Sequence, residues 1–207
     1  MTQRLDPFYP VVDSAAWVAS LTSAGAKLVQ LRIKDREEAV LLAEIREALA
    51  VCARHGAQLI VNDYWRLAIE ARADFVHLGQ EDLDDADLAA IRARGIRVGV
   101  STHDRAELDR ALALRPDYVA LGPIYPTTLK AMRFAPQGCA RLGEWKRLVG
   151  GLPLVAIGGI TLERAPDCFA AGADIVAMVG DISKHQDPPA RTRAWVEATR
   201  KHVRPAG

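Results

Sequence analysis

Two acidic residues stand close behind predicted strands and give the first indication of chemistry in this sequence. Asp63 follows the apolar residues 59–61. Asp82 comes soon after the apolar residues 75–78. One helical stretch separates the two runs, so the strands would be parallel and both carboxylates would emerge at the same edge of the sheet. Such oxygen ligands suit Mg²⁺, which usually completes its shell with water and substrate phosphate. The alternative is a helix cap and a solvated loop residue.

A second polar pattern lies along an earlier apolar run, at residues 27–33. Side chains alternate across a strand, so one face of this run would carry three polar residues: Gln30, Arg32 and Lys34. The opposite face would be apolar. Two cations on one face are tolerated where it opens into solvent, because unpaired buried charges are costly. We expect this face to point into the mouth of a barrel; the edge of an open sheet is the alternative.

Hydroxyl groups and a further cation follow later strands. The long loop after residue 122 carries Thr127, Thr128 and Lys130, a composition that suits phosphate oxygens. Ser101 directly follows another predicted strand and would donate to a phosphate or a ring. A triad built from Ser101 and the next few residues is rejected, because neighbours in sequence rarely have triad geometry; Asp104 instead resembles a helix cap.

Two glycine turns resemble the phosphate cradle of barrel enzymes. Gly158 and Gly159 follow the seventh predicted strand, where backbone N–H groups approach an anion near the start of a helix. Val179 and Gly180 follow the eighth. In barrels the turns after strands seven and eight often bind phosphate together.

The elements that would place these groups follow a β-α rhythm along the whole chain. The predicted strands span residues 8–12, 27–33, 58–61, 75–78, 97–100, 118–122, 154–157 and 175–179. The predicted helices begin near residues 14, 36, 65, 85, 104, 140, 162 and 189. Eight such units predict a single (β/α)8 TIM barrel, one domain over residues 1–207. A doubly wound sheet is the alternative, but its G-x-G-x-x-G turn is missing after the first strand.

The composition limits the kinds of function and partner that we expect for this chain. The formal net charge of the 207 residues is +1, with charges interspersed, so neither a nucleic acid nor an anionic membrane surface is expected as a partner. There is no apolar run of membrane-spanning length and no signal-peptide pattern, which predicts a cytoplasmic protein. The three cysteines have no paired spacing and are expected to be reduced. A homo-oligomer is compatible with this composition.

Six ordered motifs together closely resemble the thiamine phosphate synthase family, and the resemblance covers almost the whole chain. The motifs are Gln-Leu-Arg-Ile-Lys (30–34), Val-Asn-Asp (61–63), His-Leu-Gly-Gln-Glu-Asp (77–82), Gly-Val-Ser-Thr-His (99–103), Gly-Pro-Ile-Tyr-Pro-Thr (122–127) with Lys130, and Ala-Ile-Gly-Gly-Ile (156–160). The resemblance implies a barrel enzyme that joins 4-amino-5-hydroxymethyl-2-methylpyrimidine diphosphate to a thiazole phosphate, giving thiamine phosphate and diphosphate.

The same resemblance implies roles for single residues. Mg²⁺ on the diphosphate would be held by Asp63 and Asp82. The pyrimidine diphosphate would contact Gln30, Arg32, Lys34, Asn62, Ser101 and Lys130. The thiazole phosphate would contact Thr127, Thr128, Gly158, Gly159, Val179 and Gly180. The catalytic work, positioning the substrate and neutralising the departing diphosphate, would fall to Arg32, Lys34, Ser101 and Lys130.

Two positions depart from the family pattern. The loop usually reads Thr-x-Thr-Lys, and here it reads Thr127-Thr128-Leu129-Lys130, so the second hydroxyl is either lost at Leu129 or shifted to Thr128. The last turn usually reads Val-Ser-Ala-Ile, and here Gly180 and Asp181 replace the Ser-Ala pair. A carboxylate there would repel phosphate unless Asp181 turns outward, for example as a helix cap. The alternatives are a thiazole tautomerase-like isomerase with an acid-base residue at a position like His103, and a non-catalytic paralogue that binds a phosphorylated thiamine precursor.

Overall fold

A closed barrel of eight parallel strands forms the centre of the computed structural model, which describes residues 4–127 and 134–203. The strands are β1 (Phe8–Val12), β2 (Leu28–Leu31), β3 (Gln58–Asn62), β4 (Phe75–Leu78), β5 (Arg97–Thr102), β6 (Tyr118–Leu121), β7 (Leu154–Ile157) and β8 (Ile175–Met178). Each strand pairs with the next, and β8 pairs with β1. The predicted (β/α)8 TIM barrel is confirmed.

Helices cover the outside of the barrel. They are α1 (Ala15–Ser23), α2 (Glu38–His55), α3 (Trp65–Glu70), α4 (Leu88–Ala93), α5 (Arg105–Ala113), α6 (Gly138–Val149), α7 (Ala165–Ala170), α8 (Gly180–Ser183) and α9 (Pro188–Thr199). Within the described ranges, every helix is too short or too polar to cross a membrane. The three cysteines are free, as predicted.

Alternation along the strands separates two apolar layers. One set of side chains, such as Val29 and Val76, packs under the helices in the larger core. The other set fills the barrel, and includes Tyr9, Phe75 and Tyr118. Because both faces of a parallel strand are buried, the strands are recognisable as nearly continuous apolar runs, and burial of these runs is the main stabilising contribution.

Side-chain caps define several helix starts. Ser14 accepts from the Trp17 N–H at 3.3 Å, and Asp104 accepts from the Glu107 N–H at 2.9 Å. Both positions match the predicted starts. The caps satisfy N–H groups that have no partner inside the helix, and they fix where the loops at the barrel mouth end.

Several boundaries differ from the predicted ones by one to three residues. β2 ends at Leu31, so Arg32 and Lys34 lie beyond the strand, although the Arg32 N–H still donates to Val12 of β1 at 2.7 Å. The fourth helix begins at Leu88, because Asp87 caps it and a 3₁₀ turn occupies Asp82–Asp84. α7 begins at Ala165, where its proline occupies the first turn, the place that tolerates it. β8 ends before residue 179, and the extra short helix α8 follows it.

Candidate active site

The acids of the third and fourth β-α loops meet the cation of the second at the carboxyl ends of the strands. Lys34 Nζ donates to Asp63 Oδ2 in an ion pair. The Asp82 carboxylate accepts from the Gly79 N–H at 2.9 Å. Burial, and then the nearby Asp63 carboxylate, raise the pKa of Asp82 above its usual value. Both carboxylates line one cleft, where they could share one cation.

These three residues line an open cleft of about 570 Å³ at the rim of the barrel. Its other walls come from the start of α2, the start of α3 and the turn around the 3₁₀ segment, including Arg36, Trp65 and Asp85. The cleft is open to solvent and carries several charged side chains, so a hydrated, charged group can enter it. This brings together the predicted metal ligands and one predicted cation, as the parallel strands required.

The donor set suits Mg²⁺. Two carboxylates are present, and no cluster of three or more acidic, histidine or cysteine side chains that could hold a metal occurs among residues 4–127 and 134–203. A site with one or two carboxylates is typical of Mg²⁺, which keeps water and takes substrate phosphate as further ligands, and is too sparse for a structural Zn²⁺. The residues present fit the predicted ion.

Asp63 is held in an uncommon backbone conformation. Its φ is 64°, in the left-handed region, which asparagine and aspartate adopt more readily than other side chains. Its N–H donates to the carbonyl of His77 on β4 at 2.9 Å. Strained backbone of this kind is concentrated at functional sites, where the surrounding structure fixes it.

Four of the predicted pyrimidine-binding residues lie deeper, at the top of the barrel interior. Gln30 and Asn62 are 4% exposed, and Arg32 and Ser101 are partly buried. The amide nitrogen of Asn62 is buried and has no hydrogen-bond partner among the described residues. Because buried polar groups are nearly always paired, this donor is one that a bound molecule would satisfy.

The backbone of the first predicted phosphate turn requires glycine. Gly158 and Gly159 have φ values of 97° and 65°, and a side chain at 159 would lie 2.5 Å from the Pro126 carbonyl, so only glycine fits. The N–H groups of Gly159 and Gly180 donate to no backbone carbonyl of the described residues. Thr127 is partly buried beside this turn, after Pro126. Thr128, Leu129 and Lys130 lie outside the described residues.

Comparison with known proteins assigns the family. The family model described as "Thiamine monophosphate synthase" matches residues 8–182, the whole barrel as far as α8. The chain belongs to the thiamine monophosphate synthase family. The family resemblance predicted from the motifs, and with it the general class of a thiamine-biosynthesis transferase, is confirmed.

Relatives and solved structures agree with membership in the thiamine monophosphate synthase family. A thiamine-phosphate synthase of Rhizobium etli is 63% identical over 95% of this chain and 96% of its own length. One of Salmonella agona is 49% identical over 96% of this chain and 91% of its own length. A solved thiamine phosphate pyrophosphorylase of Pyrococcus furiosus has a TM-score of 0.85 at 23% identity, covering 95% of this chain and 96% of its own, which shows a shared fold.

Asp181, which departs from the pattern of the thiamine phosphate synthases, is turned away from the phosphate turn. Its carboxylate accepts from both Arg191 Nε and Nη2 at 2.9 Å and from Trp195 Nε1 at 2.6 Å. Its side chain is 9% exposed. The expectation of an outward side chain is met, but Asp181 anchors α8 to α9 and is not a helix cap. Its charge is compensated within the protein, so it does not oppose an anion.

Two residues near the site were not predicted. His77 lies on the inward face of β4, where it contacts Tyr118 and Ser101. Gln80 donates to the Ser101 carbonyl at 2.7 Å, and its own side-chain oxygen is buried without a partner among the described residues. The inward position of His77 could have been predicted from strand alternation, since it is two residues after Phe75. The partners of both side chains depend on three-dimensional packing.

Proposed function

We propose that this chain joins a pyrimidine carrying a methylene diphosphate to the ring nitrogen of a thiazole phosphate, forming thiamine phosphate and releasing diphosphate. One observation carries the proposal: Lys34, Asp63 and Asp82, from three successive β-α loops, line a single cleft beside the top of the barrel. The substrates are small molecules, and the protein that carries out the reaction is expected to be cytoplasmic.

The cleft is the place for the diphosphate, and the barrel interior is the place for the ring. Asp63 and Asp82 would hold Mg²⁺, which would neutralise charge on the diphosphate as it departs. Lys34, which is paired with Asp63 and has 46% of its side chain exposed, can turn to the incoming diphosphate once the acid takes a cation. Arg32, together with Lys130, would supply further positive charge.

The proposed reaction needs little covalent help from the protein. The bond between the methylene carbon and the diphosphate oxygen breaks, and the electron pair leaves with diphosphate. The thiazole nitrogen then gives its lone pair to the carbon and becomes the positive ring nitrogen of thiamine phosphate. Positioning the two rings and stabilising charge on the leaving group provide most of the rate enhancement in such chemistry.

The second substrate would lie across the mouth from the cleft. Gly158, Gly159, Val179 and Gly180 offer backbone N–H groups for its phosphate, and Thr127 lies beside them. Asp181 does not disturb this site, because its charge is bound by α9. The departure at Asp181 is therefore compatible with phosphate binding at this turn, whereas Leu129 lies outside the described residues.

The test is direct incubation of the purified chain with both precursors and Mg²⁺, followed by mass spectrometry. We expect thiamine phosphate and an equal amount of diphosphate, and neither product when Mg²⁺ is chelated. Isomerisation of the thiazole phosphate without condensation would support the tautomerase alternative. Binding of either precursor without any turnover would support the non-catalytic alternative. Either result would overturn the proposal.

A further inference from the structure

A continuous chain of hydrogen bonds crosses the barrel interior between two predicted substrate-binding residues. Gln30 Nε2 is 2.7 Å from the Tyr9 hydroxyl, which is 3.0 Å from the Tyr118 hydroxyl. Tyr118 is 2.7 Å from His77 Nδ1, and His77 Nε2 is 2.7 Å from Ser101 Oγ. Five strands, β1, β2, β4, β5 and β6, contribute one residue each. This chain of hydrogen bonds therefore links Gln30 at one end of the pocket to Ser101 at the other.

The direction of this chain follows from counting hydrogens. Gln30 Nε2 can only donate, so it donates to Tyr9. The Tyr9 hydroxyl hydrogen then has the Tyr118 oxygen as its acceptor. Tyr118 donates in turn to Nδ1 of the neutral His77 ring, which leaves the ring hydrogen on Nε2 and directs it to Ser101. The hydroxyl hydrogen of Ser101 is left over, at the partly exposed end of the chain.

With the Gln30 amide oriented so that Nε2 faces Tyr9, the opposite direction would leave a buried hydrogen without an acceptor. If Ser101 donated to His77, the ring would donate to Tyr118 and Tyr118 to Tyr9, which already accepts from Gln30. The Tyr9 hydrogen would then have no acceptor in a side chain that is 2% exposed. Buried unpaired polar groups are rare and costly.

We infer that His77 and Tyr118 are positioning residues, which hold the Ser101 hydroxyl as a hydrogen-bond donor toward the barrel mouth. Gln30, at the other end, offers its side-chain oxygen as an acceptor. The pocket therefore presents a fixed donor on one side and a fixed acceptor on the other. Turning the Gln30 amide would reverse every bond in the chain, so the two ends are set together.

The packing around the two positioning residues keeps them in place. Tyr118 is fully buried, and its ring stacks on that of His77 with centroids 5.5 Å apart and planes 14° apart. A side chain at Gly99 would lie 2.1 Å from the Tyr118 ring, so the glycine makes room for it. Fixed rotamers let a hydrogen-bond chain select one proton arrangement.

The consequence of this inference for substrate recognition rests on the proposed function. An aminopyrimidine has an amine that donates and ring nitrogens that accept, and its diphosphate accepts as well. The amine matches the acceptor of Gln30, while a ring nitrogen or a phosphate oxygen matches the donor of Ser101. A ring with the amine replaced by a carbonyl would leave Gln30 unsatisfied, and rejection of such an analogue is expected to be strong.

The first test determines the direction of the hydrogen bonds without an activity assay. ¹⁵N chemical shifts of the histidine rings in the ligand-free, full-length protein distinguish the two neutral tautomers, and the signals missing in His77→Gln assign His77. We expect the hydrogen on Nε2. A hydrogen on Nδ1 would mean that Ser101 donates to His77, and it would overturn the inference whether or not the proposed reaction is correct.

The second test asks whether Tyr118 acts through Ser101. Tyr118→Phe keeps the ring and removes the hydroxyl. It is expected to lower kcat/KM for the pyrimidine diphosphate about tenfold in the wild-type background and to have no further effect in Ser101→Ala. Losses that multiply in the double variant would show a general structural effect and would contradict a role through Ser101.

Thr102→Val is the matched control for lost stability. Thr102 is fully buried on the same strand, where it donates to the Ala120 carbonyl at 2.9 Å and accepts from Trp145 Nε1 at 3.0 Å, outside the barrel interior. We expect a lower melting temperature and an unchanged kcat/KM. If the wild type itself made no thiamine phosphate, the proposed function would fail, and the tautomer measurement would still decide the direction of the chain.

Discussion

Lys34 and Asp63 form an ion pair at the mouth of the barrel, although they lie 29 residues apart in the chain. Lys34 follows β2 and Asp63 follows β3, and the register between these neighbouring strands brings their ends together. The acid that would hold a metal and the cation that would hold a diphosphate thus neutralise each other when neither ligand is bound. When a metal and a diphosphate bind, the ion pair between Lys34 and Asp63 would be replaced by contacts of Asp63 with the metal and of Lys34 with the diphosphate.

Replacing Lys34 with methionine should reduce catalysis far more than stability. The Lys34 side chain is 46% exposed, and ion pairs open to solvent contribute about 0–1 kcal/mol to folding. Loss of a cation that stabilises the leaving group should lower kcat about 10²–10³-fold. Steady-state kinetics with the pyrimidine diphosphate and a urea titration measure the two effects.

Lys27→Met is the control for that variant. Lys27 carries the same charge at the opposite end of the barrel, where it donates to the His55 carbonyl at 2.6 Å. The kinetic constants of the Lys27→Met variant should equal those of the wild type. Equal losses of activity in the two variants would point to the overall charge and not to the cleft.

Folding stability should depend on pH through His77. Burial lowers the pKa of His77 from 6.5 to about 4. Between these values the unfolded chain binds a proton that the folded chain does not, so stability falls as the pH falls from about 6.5 to 4. The loss of folding stability that His77 causes is at most about 3 kcal/mol.

His77→Gln should remove that part of the pH dependence. Urea unfolding in metal-free buffer at about pH 7 and about pH 5 gives the free energy of unfolding for both proteins. The difference between the two pH values should be smaller in the variant. His185→Gln, at an exposed histidine, should retain the wild-type difference. An unchanged difference in His77→Gln would show that His77 is not the responsible group.

Asp181→Ala should lower the folding stability without weakening the binding of thiazole phosphate. The change leaves Arg191 and the Trp195 N–H without their shared acceptor, and breaking a largely buried pair costs on the order of 3–5 kcal/mol. Calorimetry with thiazole phosphate should give an unchanged Kd. A large loss of affinity would mean that the carboxylate has a direct role.

Glu163→Ala provides the comparison for Asp181. Glu163 also binds Arg191, but 68% of its side chain is exposed, so its loss should cost less than about 1 kcal/mol. Similar destabilisation by the two variants would mean that the buried partner is no more important than the exposed one.

The barrel could be predicted from the sequence because its strands are buried on both faces. β4 and β7 were predicted with their full ranges, and the alternation along β2 correctly placed Gln30 inside and Val29 outside. The end of β2 was predicted too late. Arg32 and Lys34 continue the alternating pattern beyond the last strand residue, and alternation alone does not mark where strand pairing ends.

The acid pair could be predicted, whereas the interior chain of hydrogen bonds could not. Asp63 and Asp82 follow β3 and β4, which are neighbouring parallel strands, so topology brings their corners together. The contact of Tyr118 with His77 depends on which side chains cross the barrel at one height, and the space that Gly99 leaves for Tyr118 decides it. Sequence periodicity gives the face of a residue but not its partner.

The most direct test of the central claim is Mg²⁺-dependent turnover, measured side by side in the wild type, Asp63→Asn, Asp82→Asn and Asp85→Asn. Asp85 lines the same cleft, but it pairs with Arg66 and is not one of the proposed metal ligands. If the cleft binds a magnesium diphosphate, both Asp63→Asn and Asp82→Asn fold but form almost no thiamine phosphate at any Mg²⁺ concentration, while Asp85→Asn resembles the wild type. Wild-type turnover in both Asp63→Asn and Asp82→Asn, or turnover that does not depend on Mg²⁺ in the wild type, would contradict the assignment.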